Sequence, residues 1–243
     1  MAEHLNRKIG FLSRLDYLSP GYRQALINSA FEIFKKEGVH FVVLLGGLIA
    51  KDNLKERINK FVKEKLEEDT AKKRNFPRFS YIPTRVARQR ARRFELTYQC
   101  LQKTARELVR VIPRMGTHES DLPDKPQEPI DIFVIASPAF DGDTGDQIAR
   151  VAEEMRSDIR VWNSPGSSGG RFLVKYVDKV IWALTPEKAV WMRSDYYSTP
   201  AERVIKDKTK QTAQASPDVY AVGCFGSAIH KPDGELPYRY FTV

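Results

Sequence analysis

Hydrophobic and polar positions divide the chain into short apolar runs separated by amphipathic stretches. Lys8 to Ser13 reads as a short buried strand. Pro20 to Lys36 places Ala25, Leu26, Ala30, Phe31 and Phe34 on one stripe, which predicts a helix that Gly38 ends. His40 to Leu45 is a nearly unbroken apolar run closing on Gly46-Gly47, the pattern of a central parallel strand buried on both faces. This strand–helix–strand unit predicts a right-handed crossover in an α/β sheet.

Asp52 to Glu68 predicts a charged helix with a narrow stripe of Leu54, Ile58, Phe61, Val62 and Leu66. Thr70 to Pro83, with two prolines and a basic run, reads as a loop. Thr84 to Ile112 carries the longest helical signal. Its apolar residues Phe94, Tyr98, Leu101, Ala105, Leu108 and Ile112 step by 4, 3, 4, 3, 4, which predicts a seam against another helix. Gly116 to Pro129 reads as a polar loop, Ile130 to Ala136 as a buried strand, Gly145 to Arg156 as a helix and Asp158 to Trp162 as a strand. Arg171 to Tyr176 and Lys179 to Leu184 predict a β-hairpin. A short helix is expected over Pro200 to Lys208, and late strands over Val219 to Gly223 and Tyr238 to Val243. No internal repeat is present. The order is α/β first, then increasingly β-rich.

Charge changes this picture in one place. The chain carries 40 Lys and Arg against 31 Asp and Glu, a net +9, yet residues 71–110 alone sum to +10 and the remainder to −1. A positive field confined to one segment is the footprint of a polyanion contact; the plainer alternatives are a solvated helix face or arginines paired with acids of the same chain. Arg85, Arg88, Arg90, Arg92 and Arg93 crowd the N-terminal half of the long helix, where cations oppose the helix dipole by about 0.3–1 kcal/mol each near the first turn. Such an arrangement predicts an anion there. Composition is otherwise that of an ordinary globular chain, 42% hydrophobic and 29% charged. The longest apolar run, Phe41 to Ala50, is too short for a bilayer, which needs about 20 residues. Met1 to Leu5 lacks the blocks of a signal peptide, and Cys100 and Cys224 form no CxxC or Cys/His cluster. The expectation is a reduced, intracellular, cytoplasmic or nucleoid-associated protein, away from membranes.

The strand ends carry a resemblance. The first strand ends in Ser13-Arg14-Leu15-Asp16, the second in Gly46-Gly47-Leu48-Ile49-Ala50, and the third leads into Ser137-Pro138-Ala139-Phe140. Thr185-Pro186 follows the strand at Val180 to Leu184, and Gly223-Cys224-Phe225-Gly226 follows a late one. In frame and order these segments resemble the calcineurin-like metallophosphoesterases, which include the Mre11-type nucleases and DNA polymerase small subunits. The resemblance covers most of the chain outside 51–129, in pattern more than identity. It implies an α/β fold, a two-sheet β-sandwich flanked by helices, as one domain over 1–243, with 51–129 an inserted basic helical hairpin and polar loop. It also implies a site of two divalent metals about 3.5–4 Å apart, bridged by a carboxylate, that activate water on a phosphoester.

The family's ligands are missing. Where it has Ser-Asp-x-His, Gly-Asp-x-x-Asp, Gly-Asn-His-Asp, a lone His and Gly-His-x-His, this chain has Arg14, Asp16, Gly47, Ala50, Ala139, Thr185 and Cys224. None of its four histidines, His4, His40, His118 and His230, falls in a ligand position. The resemblance without its ligands implies a pseudo-enzyme with no cofactor and no catalytic residue. Asp16, Asp52, Asp141, Asp143 and Asp146 remain candidates for a single Mg²⁺.

Other signals have plainer readings. Ser164 to Gly170 suits a hairpin connection better than a phosphate cradle, lacking a following Lys-Ser/Thr. Asp141 to Asp146 lacks the distal Glu of a calcium loop, which favours helix capping by Thr144 or a nearby Asp. Cys224 has no identifiable His partner, and His230 lies in what reads as a loop. Tyr196-Tyr197 and Tyr238 with Tyr240 read as packing residues. The function expected is a nucleic-acid-binding or scaffold subunit of a larger assembly, in DNA replication or repair, with a protein partner. Lys72, Lys73, Arg74, Arg78, Arg85, Arg88, Arg90, Arg92 and Arg93 would contact phosphates. Two alternatives stay open: an active metal-dependent phosphodiesterase or nuclease with a rearranged metal site, and a purely structural interaction subunit.

Overall fold

The computed structural model describes residues 8–72, 82–117, 129–137, 139–162, 171–176, 179–186, 201, 204–205, 217–223, 230–231 and 239–242. The chain is α/β, with a parallel sheet flanked by helices. Four parallel strands lie in the order β1 (Lys8–Leu12), β2 (Val39–Leu45), β3 (Ile132–Ile135), β4 (Ile159–Val161). Their connections carry α1 (Gln24–Lys36), α2 (Lys51–Lys72) with α3 (Ile82–Val111), and α4 (Gly142–Met155). Because each neighbouring pair is parallel, all four strands point one way and their C-terminal ends share one edge.

A second sheet runs β5 (Arg171–Tyr176), β6 (Lys179–Leu184), β7 (Val219–Val222), β9 (Arg239–Thr242), β8 (His230–Lys231). β5 and β6 pair antiparallel, as the hairpin pattern predicts, whereas β7 runs parallel to both β6 and β9. His230 belongs to β8, antiparallel to β9, and not to a loop. A two-residue strand carries too little pattern to stand out in sequence.

Period-two alternation decides which core each strand residue enters. On β2 and β3, Val42, Leu44, Ile132 and Val134 join the helices in the largest core, with Phe31 of α1 and Ile148 and Ala149 of α4. Their neighbours Val43, Leu45 and Ile135 form a separate cluster with Ala183 of β6 and Ala221 of β7. β2 is thus apolar on both faces, which explains its unbroken hydrophobic run. Trp182, Leu184, Tyr220 and Val222 point the other way and meet Ala201, Val204 and Ile205. Small residues let β7 come close: a Cβ on Gly223 would lie 2.3 Å from the Leu45 carbonyl oxygen.

The α2–α3 pair differs from expectation in two respects. Both helices extend into the stretch read as a loop, α2 to Lys72 and α3 from Ile82. Pro83 sits in the first turn of α3, where its missing N–H breaks no helical bond. The two helices are antiparallel neighbours, tied by Arg57–Glu107 (2.7 Å) and Arg92–Asp69 (2.8 Å). The predicted seam also changes environment partway. Leu101, Ala105, Leu108 and Ile112 are buried in the main core beside Leu54 of α2 and Ala152 of α4. Phe94 and Tyr98, on the same stripe, are 77% and 48% exposed.

The C-terminal end of α3 is closed by Arg156. Its guanidinium donates to the carbonyls of Val109 (2.9 Å) and Ile112 (2.5 Å) and pairs with Asp158 (2.5 Å). Both side chains are buried. Burial pushes the Asp158 carboxyl up, but the Arg156 guanidinium pulls it further down, below the usual carboxylate range. No helix among the described residues is long and apolar enough to cross a membrane.

Candidate functional site

The C-terminal ends of β1, β2 and β3 adjoin, and backbone hydrogen bonds lace the three following loops together. Arg14, Asp16 and Tyr17 donate their amides to the carbonyls of Gly46 (3.0 Å), Gly47 (2.7 Å) and Leu48 (3.0 Å). Ala50 returns one to the Tyr17 carbonyl (2.9 Å), and Gly46 donates to Ile135 (2.8 Å). These bonds bring Arg14, Asp16, Gly47 and Ala50 into one backbone network. Ala139 lies in the turn that follows β3. Cys224 falls outside the described residues, although its neighbour Gly223 presses on Leu45. Thr185 and Pro186 after β6 also reach this edge: Ser137 Oγ donates to the Pro186 carbonyl (3.0 Å) and Thr185 Oγ1 to that of Ala136 (3.4 Å).

The β1 loop takes an unusual path. Arg14, Asp16 and Leu18 have φ of 56°, 46° and 73°, the left-handed region. Such a conformation costs a non-glycine residue about 1–2 kcal/mol. Gly47, at φ 64°, makes this packing possible, since a Cβ there would lie 2.9 Å from Arg14 Cα. Arg14 pairs with Asp16 (Nη2 to Oδ2, 3.0 Å) and lies over the Phe140 ring, 5.9 Å from its centroid. Tyr17 donates its hydroxyl to Glu107 (3.0 Å), which also holds Arg57, so the loop is fastened to α2 and α3. Burial, then the Glu107 carboxylate, raises the Tyr17 hydroxyl above its ordinary pKa.

At the centre is a residue whose role the sequence concealed. Asp141 is 1% exposed, and both its carboxylate oxygens are occupied by backbone amides. Oδ2 accepts from Gly47 (3.0 Å) and Ser137 (2.7 Å), Oδ1 from Leu48 (2.6 Å) and Ile49 (3.2 Å). The expectation of capping by an Asp here is corrected in its target. Asp141 stands at the N-cap of α4 but makes no side-chain bond to that helix, closing the β2 loop instead. Gly145 leaves it room, since a Cβ there would lie 2.5 Å from Asp141 Cβ. Removal from water favours the neutral acid and the four amides favour the carboxylate; burial prevails, pushing the pKa up to about 6.

These residues do not fit a two-metal centre. Gly47, Ala50 and Ala139 offer no side-chain donor, Asp16 is paired with Arg14, and Asp141 has no oxygen left without an amide. Asp146, another candidate ligand, pairs with Arg150 (3.0 Å). Among the described residues no three His, Cys, Asp or Glu side chains come close enough together to hold a metal ion. A cleft of about 310 Å³ beside the site is lined by Lys51, Lys55, Asn59, Asp143 and Thr144.

Of the basic residues expected to contact phosphates, those described belong to α2 and α3. Lys73, Arg74 and Arg78 are outside the described residues, Lys72 ends α2, and Arg85 belongs to the start of α3. Arg88, Arg90 and Arg93 are exposed on α3 and form no ion pair among the described residues. Arg92 differs: its guanidinium is bound by Asp69 and Glu95, each at 2.8 Å. A groove of about 850 Å³ between α2 and α3 is floored by Ile58, Val62 and Leu66 and edged by Lys63, Glu67 and Arg93.

No protein-family model and no curated protein matches the chain. Among solved structures, an archaeal phosphodiesterase is similar at 12% identity and a TM-score of 0.39, over 96% of this chain and 81% of its own. A second solved chain aligns at 13% identity and a TM-score of 0.40, over 98% of this chain and 89% of its own.

Proposed function

We propose that the chain is a phosphoesterase-like domain without hydrolytic activity, working as a nucleic-acid-binding or scaffold subunit of a larger assembly. The observation that carries this reading is the content of the strand-end site. Where the resemblance calls for metal ligands, the loops are joined by Asp141 and its four amides and by the Arg14–Asp16 pair. The Asp141 carboxylate and the Arg14 guanidinium fasten the loops that two cations would otherwise hold. On this reading the two sheets are the layers of a sandwich, and α2 with α3 is a basic hairpin inserted between β2 and β3 of a single domain over 1–243.

The binding function then falls to the segment that holds the chain's net positive charge. Lys72, Lys73, Arg74, Arg78, Arg85, Arg88, Arg90 and Arg93 are the proposed phosphate contacts, with Arg92 serving the helix pair instead. Contacts of this kind set affinity and leave sequence unread. Neutralising about five phosphates gives a log–log salt slope of about −3.5 on a single strand or −4.5 on duplex. The test is oligonucleotide affinity against salt, run beside a phosphodiester hydrolysis assay with Mn²⁺. The reading expects a slope of this size and no turnover. Salt-independent binding rejects the nucleic-acid role, and turnover rejects the inactive site.

A further inference from the structure

The exposed half of the α3 seam is the feature that neither the core nor the strand-end site explains. Val86, Phe94 and Tyr98 are 43%, 77% and 48% exposed on a helix whose same stripe is buried from Leu101 onward. Arg90 falls between Val86 and Phe94 at the same four-residue step, so a cation interrupts the apolar row. Arg93 and Thr97, one position before Phe94 and Tyr98, line the groove between α2 and α3. Rings four residues apart on a helix stand about 5–6 Å from each other at Cβ. The face therefore offers two aromatic rings to solvent, flanked by guanidinium groups that no acid among the described residues neutralises.

We propose that this face of α3 is a stacking platform for single-stranded nucleic acid, with bases on Phe94 and Tyr98 and phosphates on Arg90 and Arg93. The proposal rests on the nucleic-acid-binding reading above and narrows it. Charge selects a polyanion as the occupant, because the sequence over 71–110 carries +10 and Arg90 and Arg93 are exposed on the same stretch of α3 as the rings. The rings select single strands. Bases in a duplex present only their edges to a protein, whereas an unpaired base exposes a face that stacks on any aromatic side chain. Glu67 on the groove's far side sets a limit to the phosphate path, which runs along Arg90 and Arg93.

Fluorescence anisotropy on the full chain tests this, with labelled oligothymidylate, oligouridylate and a duplex of equal length. Either single strand is expected to bind more tightly than duplex, and the better of the two identifies the sugar. Phe94→Ala with Tyr98→Ala is expected to weaken single-strand binding about thirtyfold, with the salt slope unchanged. Arg90→Gln with Arg93→Gln makes that slope shallower by about 1.4. All four side chains are exposed, so the melting temperatures of both variants should match wild type. Equal affinity for duplex, with aromatic variants within about threefold of wild type, overturns the platform and leaves the broader nucleic-acid reading standing. Absence of binding to all three probes overturns both. Self-association lost on Phe94→Ala and Tyr98→Ala, without oligonucleotide binding, also overturns it and assigns the face to a second copy of the chain.

Discussion

In the proposed reading Gly47 takes the place of a bridging carboxylate, and replacing it isolates the packing between the β1 and β2 loops. A Cβ at Gly47 meets two penalties. The residue sits at φ 64°, which costs an alanine about 1–2 kcal/mol. The same Cβ lies 2.9 Å from Arg14 Cα and 3.2 Å from Arg14 N, backbone atoms that cannot rotate away. Forcing such a contact costs about 1–3 kcal/mol more. Gly47→Ala is therefore expected to destabilise by about 2–5 kcal/mol. Gly38 is the internal control, because it has φ 63° with nothing within 4 Å of its would-be Cβ. Gly38→Ala incurs the conformational cost alone, and the alanine's effect on the unfolded chain cancels in the comparison. Urea unfolding followed by tryptophan fluorescence gives both values. Equal losses for the two variants would refute the close approach of the β1 and β2 loops. Gly47→Asp, which puts a carboxylate at this position, meets the same backbone and is expected to lose stability without gaining a metal.

Three more outcomes follow from the same contacts. Asp141, raised from 3.8 to about 6, binds its proton more tightly folded than unfolded. Its contribution is complete below pH 3.8 and falls by about 3 kcal/mol as pH rises through 6. Unfolding of wild type against Asp141→Asn across that window measures it, and a wild-type advantage that grew with pH would mean the amides outweigh burial. Arg156→Met leaves the Asp158 carboxylate buried and the end of α3 open, and is expected to cost about 3–5 kcal/mol in chemical denaturation. A loss under about 1 kcal/mol would show that water takes over both roles. Arg92→Gln should leave the oligonucleotide salt slope unchanged while Arg93→Gln makes it shallower, because Arg92 is already bound by Asp69 and Glu95. Equal effects of the two would contradict that division.

The layout of the parallel sheet was legible because its signals are local. The run at Phe41 to Leu45 and the stripe of α1 each need only the next few residues to be interpreted. Helix ends were less legible: Pro83 argues for a loop until its place in a first turn is known. The seam on α3 has correct spacing throughout, yet spacing cannot say that burial passes from Leu101 to Cys100 and Leu96, so Phe94 and Tyr98 looked like Leu101 and Leu108. Asp141 was hidden for a related reason. Its partners Gly47, Leu48 and Ile49 lie more than ninety residues away, and locally it looks like a helix cap. The nearest hint was Gly145, one helical turn on, where only a hydrogen leaves space for the carboxylate's Cβ.

In the proposed reading, protein groups occupy the strand ends where a pair of cations would be held. Titrating Mn²⁺ into chelator-treated protein and following the electron paramagnetic resonance signal of the free ion tests it most directly. The signal is expected to rise as it does in buffer alone. Loss of two manganese equivalents per chain before the signal appears would contradict it.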